Sequence, residues 1–350
     1  MGHGGDIYRN KVDIDLSTNI NPLGCPEYIK EAIRDSIDAV DKYPDHTYSS
    51  LRNELRNYLG LKDSINLEIF NGASEFISSF ISFFRPSKAL LLAPSFIGYK
   101  RALEAVGTEI NWFYLKEENK FNVDGQILNE IKNKRYDVLF ITNPNNPTGR
   151  LINKDLMERI IKEAAENDTV VIVDECFLKM TGKYDESSVL HQIEKYDNLI
   201  CLNAFTKTFA IPGVRLGWAA FSKKFNDYIK VIPEWNISTI ADSVGRRILS
   251  SDKTKEYIKK TLDYLEIEKE FFRDRLKEFK NIKYYDFDAD FVLIKTSIDL
   301  YQELLKRKIL IRDCSDYTGL GGGFYRIAIK SHEESIRLFD NLKEIYGEFI

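Results

Sequence analysis

A lysine that follows an apolar strand loses much of its hydration. Desolvation lowers an ammonium pKa toward the range in which the free amine attacks a carbonyl. Lys207 stands in such a place: Asn203-Ala204-Phe205-Thr206-Lys207-Thr208 follows the apolar run Leu199 to Leu202, and Arg215 comes eight positions later. The planar guanidinium of Arg215 offers the donors a phosphate takes. By itself, a Thr-Lys step after a strand also fits a surface loop. Further residues narrow the choice. In Val171-Ile172-Val173-Asp174 a carboxylate follows a β-branched run, and an ionised Asp at the end of a buried strand is costly unless a cation meets it. A cap on the next helix is the plainer alternative. Thr142-Asn143-Pro144-Asn145-Asn146-Pro147 closes another apolar run, leaving amides at the carboxyl edge where ligands of open α/β sheets bind. Phe70-Asn71-Gly72-Ala73-Ser74 opens a helix whose first N–H groups suit a phosphate, or mark an ordinary helix start.

These residues need elements to position them. Apolar residues at a helical period run from Glu27 to Val40, Ser50 to Leu59 and Ser74 to Phe84. Short apolar runs follow at 89–93, 138–142, 169–173, 199–202 and 218–221, with helical patterns such as Tyr99 to Val106 and Lys154 to Glu166 between most of them. Strands alternating with helices predict an α/β fold with a largely parallel sheet covered on both faces. Past about Ser238 the pattern changes. A long amphipathic stretch from Ser251 to Phe279 leads to strands at 291–294, 309–312 and 325–329, with helices between and after them, the pattern of a smaller α+β domain. The expected division is an arm and part of the small domain at 1–45, a large domain at 46–245 and the rest of the small domain at 246–350.

Composition removes several function classes. Fifty basic and fifty-four acidic side chains in 350 residues give a net charge of −4 without a basic block, so a nucleic-acid surface is not expected. No apolar run approaches the ~20 residues that span a bilayer, and the first residues lack a leader's basic flank and apolar stretch; the chain reads as cytoplasmic. Four scattered cysteines and four histidines form neither CxxC nor HExxH spacing, so neither a metal site nor a disulfide framework is expected.

In this order, the segments around Gly72, Asn146, Asp174 and Lys207 resemble the fold-type I pyridoxal-phosphate enzymes, the aspartate-aminotransferase superfamily, over nearly the whole chain. The resemblance implies a mostly parallel seven-stranded sheet between helices, a smaller α+β domain, and pyridoxal 5'-phosphate as cofactor. It implies that Lys207 bonds to the cofactor aldehyde, Asp174 pairs with the ring nitrogen and Asn146 meets the ring hydroxyl. Ala73, Ser74, Thr206 and Arg215 would hold the phosphate, and Phe96 would stack on the ring.

The flanks are similar to those of the threonine-phosphate decarboxylases of cobalamin biosynthesis. They comprise His3-Gly4-Gly5-Asp6, Asp15-Leu16-Ser17-Thr18-Asn19-Ile20-Asn21-Pro22, Tyr43-Pro44-Asp45, the run from Ile309 to Leu320, and Phe324-Tyr325-Arg326. Phe177, where related aminotransferases carry Tyr, leans the same way, since it cannot donate a hydrogen bond. This likeness implies a phosphorylated amino-acid substrate, with His3, Asn19 and Arg312 on its phosphate and Arg326 near its carboxylate. It also implies a homodimer in which Tyr43 reaches the cofactor phosphate of the opposite subunit. The bland readings are a disordered His3 and solvated edge-strand charges at Arg312 and Arg326. Ala204, where a hydroxyl residue is usual, and Trp235-Asn236-Ile237-Ser238 depart from the pattern, as a relative acting on serine phosphate would. An aminotransferase similar to those acting on histidinol phosphate would use the same anion grips.

Overall fold

The computed structural model describes residues 4–348. After a two-residue strand β1 (Ile14–Asp15), seven strands form one sheet: β2 (Ile65–Phe70), β3 (Lys88–Ala93), β4 (Glu109–Tyr114), β5 (Val138–Thr142), β6 (Val170–Asp174), β7 (Leu199–Ala204) and β8 (Gly217–Ser222). Their spatial order is β2-β8-β7-β6-β5-β3-β4. Only β8 runs against its neighbours; every other pairing is parallel. The continuous apolar runs of β5, β6 and β7 are buried at every position, as a sheet packed on both faces requires.

Two strands of this sheet carry no such run in the sequence, and each has a physical reason. β4 is an edge strand, partly or fully exposed along its length. β2 is interrupted by Asn66 and Glu68, which find partners of their own. Asn66 Nδ2 donates to the Ser222 carbonyl and to Asn226 Oδ1, and Arg52 Nη1 donates to Glu68 Oε1 at 3.0 Å.

A second, antiparallel sheet has the order β12-β13-β10-β9, from β9 (Lys283–Tyr284), β10 (Phe291–Lys295), β12 (Arg312–Asp313) and β13 (Phe324–Ala328). Between β10 and β12, β11 (Ile309–Leu310) pairs in parallel with β1. The single strand expected at 309–312 is therefore two, split at Ile311, and the halves serve different partners. The pairing sews the N-terminal arm onto this sheet: Leu16 N donates to the Leu310 carbonyl and Ala328 N to the Leu16 carbonyl, both at 2.8 Å. Helices Lys253–Lys277 and His332–Glu348 cover the sheet, with Phe272 packed edge-on against Phe339. Among the described residues no helix is long and apolar enough to cross a membrane.

Candidate active site

Register brings the chemistry together. Thr142, Asp174 and Leu202 are side by side at the carboxyl ends of β5, β6 and β7, where open α/β sheets gather their ligands. From the end of β7 the chain turns into the short helix Phe205–Thr208, which carries Lys207. The arm fixes that helix from outside, with Asn21 N donating to the Lys207 carbonyl at 3.0 Å and Asn21 Nδ2 to the Thr208 carbonyl at 2.7 Å. Lys207 thus projects into a cavity of about 260 Å³ whose walls include Asn19, Ala73, Ser74, Phe96, Asn146, Asp174, Phe177, Thr206, Arg215, Arg312 and Arg326.

Burial pushes the Lys207 ammonium below its ordinary pKa; Arg326 and Arg215 push the same way, against Cys176 and Asp290. Among the described residues no hydrogen bond ties its Nζ, and the Phe177 ring centroid is 5.6 Å away. Phe177 in turn packs edge-on against Phe291, at 5.2 Å, so this wall next to the amine is apolar.

Asp174 is 6% exposed. Tyr99 Oη donates to its Oδ2 at 2.8 Å and Cys176 N to its Oδ1 at 3.0 Å. Tyr99 is fully buried, also meets Thr142 Oγ1 at 2.8 Å, and its phenol is held neutral by burial and the Asp174 charge. In the sequence Tyr99 shows only as part of a helical pattern. The available signal was a tyrosine on the sheet-facing side of a helix, where a buried hydroxyl needs a partner.

At the other wall Arg215 Nη2 donates to Ser74 Oγ at 3.0 Å, beside the first turn of helix Ala73–Phe84. Gly72 makes this approach feasible: a Cβ there would stand 2.5 Å from Arg215 Nη2, and its φ of +73° also suits glycine. Asn236, in the departing Trp235-Asn236-Ile237-Ser238 segment, braces this turn by donating to the Ile69 carbonyl and to Glu75 Oε2. Ala204 lines the cavity and supplies no side-chain donor there. Phe96 also lines it, with Gly98 so close that a Cβ would fall 2.3 Å from the ring.

Arg312 and Arg326 are buried, 7% and 6% exposed, so neither is a solvated charge. β12 is an edge strand, whereas β13, with Arg326, is internal. Arg326 Nη1 donates to Asn146 Oδ1 at 2.6 Å and Nη2 to the Ser17 carbonyl at 2.7 Å. Among the described residues, buried Asn19 has no partner for either amide atom, and Arg326 Nε has none either. Tyr43 lies outside the cavity, 81% exposed, with its ring 4.8 Å from that of Trp235. His3 lies outside the described residues.

This donor set fits pyridoxal phosphate. A helix start, a serine hydroxyl and a guanidinium form a phosphate cradle, while an amine of lowered pKa and a held carboxylate face the same space. Fold and site define a pyridoxal-phosphate-dependent enzyme of fold type I. The chain belongs to the aminotransferase class I and II family, whose model matches residues 11–342.

It is 35% identical to a protein of Caldanaerobacter subterraneus subsp. tengcongensis provisionally assigned as a threonine-phosphate decarboxylase, over 99% of this chain and 94% of that protein. It is 30% identical to the threonine-phosphate decarboxylase of Salmonella typhimurium, over 98% and 96%. Among solved structures, the histidinol-phosphate aminotransferase from Clostridium acetobutylicum matches with a TM-score of 0.88 at 33% identity, covering 96% of this chain and 99% of that one.

Proposed function

We propose that this enzyme decarboxylates L-threonine O-3-phosphate to (R)-1-amino-2-propanol phosphate and carbon dioxide, a step of cobalamin biosynthesis. The observation that carries the reading is the pair of buried guanidinium groups, Arg312 and Arg326, in the cavity that holds Lys207. A substrate bearing both a phosphate and a carboxylate needs two fixed cationic partners, and charge-assisted bonds to arginine are the strong kind. The likeness to the two decarboxylases, and the apolar Phe177 beside the amine, support the same choice.

When bound, pyridoxal phosphate supplies the aldehyde that captures the substrate amine and the cationic ring that takes up the electron pair released at the α-carbon. Lys207 would hold the aldehyde, Asp174 the ring nitrogen and Asn146 the ring hydroxyl. Ala73, Ser74, Thr206 and Arg215 would take the cofactor phosphate, and Phe96 would cover the ring. Asp174 suits its task because Tyr99 and Cys176 N fix it while leaving lone pairs to spare. Asn19 and Arg312 would bind the substrate phosphate, and Arg326 would orient its carboxylate. After carbon dioxide departs, Lys207 Nζ or a water would deliver a proton to the α-carbon. In the homodimer we propose, the exposed Tyr43 reaches the neighbour's cofactor phosphate.

A second reading draws on the likeness to the Clostridium aminotransferase. The same grips would hold a phosphorylated amine, and Lys207 Nζ would remove the α-proton instead. Incubation with O-phospho-L-threonine separates the two. Carbon dioxide without any 2-oxo acid supports decarboxylation; glutamate formed from 2-oxoglutarate, with no carbon dioxide, overturns it. Arg312→Ala should raise KM for phosphothreonine by about 10²-fold, as expected when a buried charge partner is removed. For unphosphorylated threonine it should change KM by less than about threefold.

A further inference from the structure

We infer that Asp316 is a specificity-determining residue: it pairs with Arg312 as an internal anion, and an incoming substrate phosphate must compete with it for the same guanidinium. The inference rests on the reading of Arg312 as the phosphate grip.

The three cavity arginines differ in what meets them. Arg326 donates to the Asn146 amide oxygen and the Ser17 carbonyl. Arg215 donates to Ser74 Oγ and to the carbonyls of Asn71 and Pro212. These acceptors are all neutral. Among the described residues, Arg312 alone of the three is paired with a carboxylate, its Nη2 being 2.7 Å from Asp316 Oδ1 and 3.0 Å from Oδ2.

Arg312 has anchors besides that carboxylate. Its Nη1 donates to the Asp313 carbonyl, and its guanidinium carbon is 5.2 Å from the Tyr317 ring centroid. Tyr317 is itself buried, with its hydroxyl 3.4 Å from Asn146 Oδ1. Asp316, in the turn after β12, is the looser partner: its side chain is 27% exposed, against 8% for Arg312.

Two anions compete for the charge of one guanidinium, even where its five N–H groups could reach both. A phosphate, with more charge and three acceptor oxygens, outcompetes a single carboxylate. A hydroxyl or a weakly held carboxylate does not. Competition by an internal anion therefore raises the threshold for occupying Arg312, which is selectivity by exclusion.

The test compares wild type, Asp316→Asn, Asp316→Ala and Arg312→Ala as holoenzymes. Inorganic phosphate and acetate are titrated against the cofactor's absorbance, and KM is measured for O-phospho-L-threonine. Both Asp316 variants should bind inorganic phosphate about fivefold to tenfold more tightly, and acetate should become a measurable competitor. Weaker phosphate binding in both would make Asp316 a mere prop for Arg312 and overturn the inference, as would unchanged affinity. Arg312→Ala separates the two levels of the argument. If it leaves phosphate affinity intact, the grip reading itself fails and the displacement idea falls with it. If it abolishes phosphate binding while the Asp316 variants show no gain, only the displacement idea fails.

Discussion

At one end of the cavity Asp174, Asn146 and Lys207 come off the carboxyl ends of three neighbouring strands of a single sheet. At the other, Asn19, Arg312 and Arg326 come from the N-terminal arm and from β12 and β13, and the bond joining Ser17 to Arg326 spans 309 residues of sequence. The first end is largely satisfied without a ligand: Tyr99 and Cys176 N hold Asp174, and Arg326 holds Asn146. The second is not, since both amide atoms of Asn19 and Nε of Arg326 are buried without partners. An unpaired buried polar group costs about 1–3 kcal/mol, and a ligand that pairs it recovers that cost. One end is preset by the fold; the other keeps buried polar atoms without partners among the described residues.

Substitutions can break or sharpen this contrast. Lys207→Ala should lower turnover by at least about 10⁴-fold, and the desalted protein should lose its visible cofactor absorbance. A variant that keeps its colour and several per cent of its activity would remove Lys207 from the preset end. Arg326→Gln tests whether the two ends are independent. Because Arg326 bonds Asn146 on one side and Ser17 on the other, kcat/KM should fall about 10²-fold, with both the cofactor Kd and the substrate KM rising. A rise in KM alone would confine Arg326 to the substrate end. Tyr99→Phe removes one of the bonds to Asp174 and should cost about tenfold in kcat while leaving substrate KM within about twofold. A KM effect as large as the kcat effect would show that Tyr99 does not act through Asp174.

The same contrast explains what could be read from the sequence. The preset end lies where apolar runs stop, so Asp174, Asn146 and Lys207 were visible as polar residues following β6, β5 and β7. Helix Lys154–Glu166 has the bounds expected from its helical pattern, and in the structure Asn153 caps it, Oδ1 accepting from Asp155 N and Leu156 N. The other end depends on β1, β11 and β12, each two residues long, too short for any periodicity. Arg312 and Arg326 were reached only through resemblance, and nothing local to them announces that they are buried. The bracing residues Tyr99, Asn21 and Asn236 escape for a related reason: each acts through a partner set by tertiary contact.

The smallest effect on turnover is expected behind the preset end, and it tests what that end stands on. Glu175 follows Asp174 and is fully buried. Its Oε1 accepts from Val189 N and its Oε2 from Ser188 Oγ, both at 2.7 Å. Burial pushes its carboxyl up to about 7, with the Asp174 charge adding to the rise. An acid whose folded pKa lies above its unfolded value, near 4.3, favours the folded state when protonated. That contribution is fully present below about pH 4.3 and is lost as pH rises through about 7, up to about 4 kcal/mol in all. Glu175→Gln keeps a neutral group of the same shape, able to accept from Val189 N and donate to Ser188 Oγ. Relative to wild type, its Tm should therefore rise on going from pH 5 to pH 8.5, read by thermal melts across that range, while kcat changes by less than about threefold. A Tm difference independent of pH would mean that Glu175 does not titrate there. A large loss of turnover would mean that the support behind Asp174 is part of the chemistry.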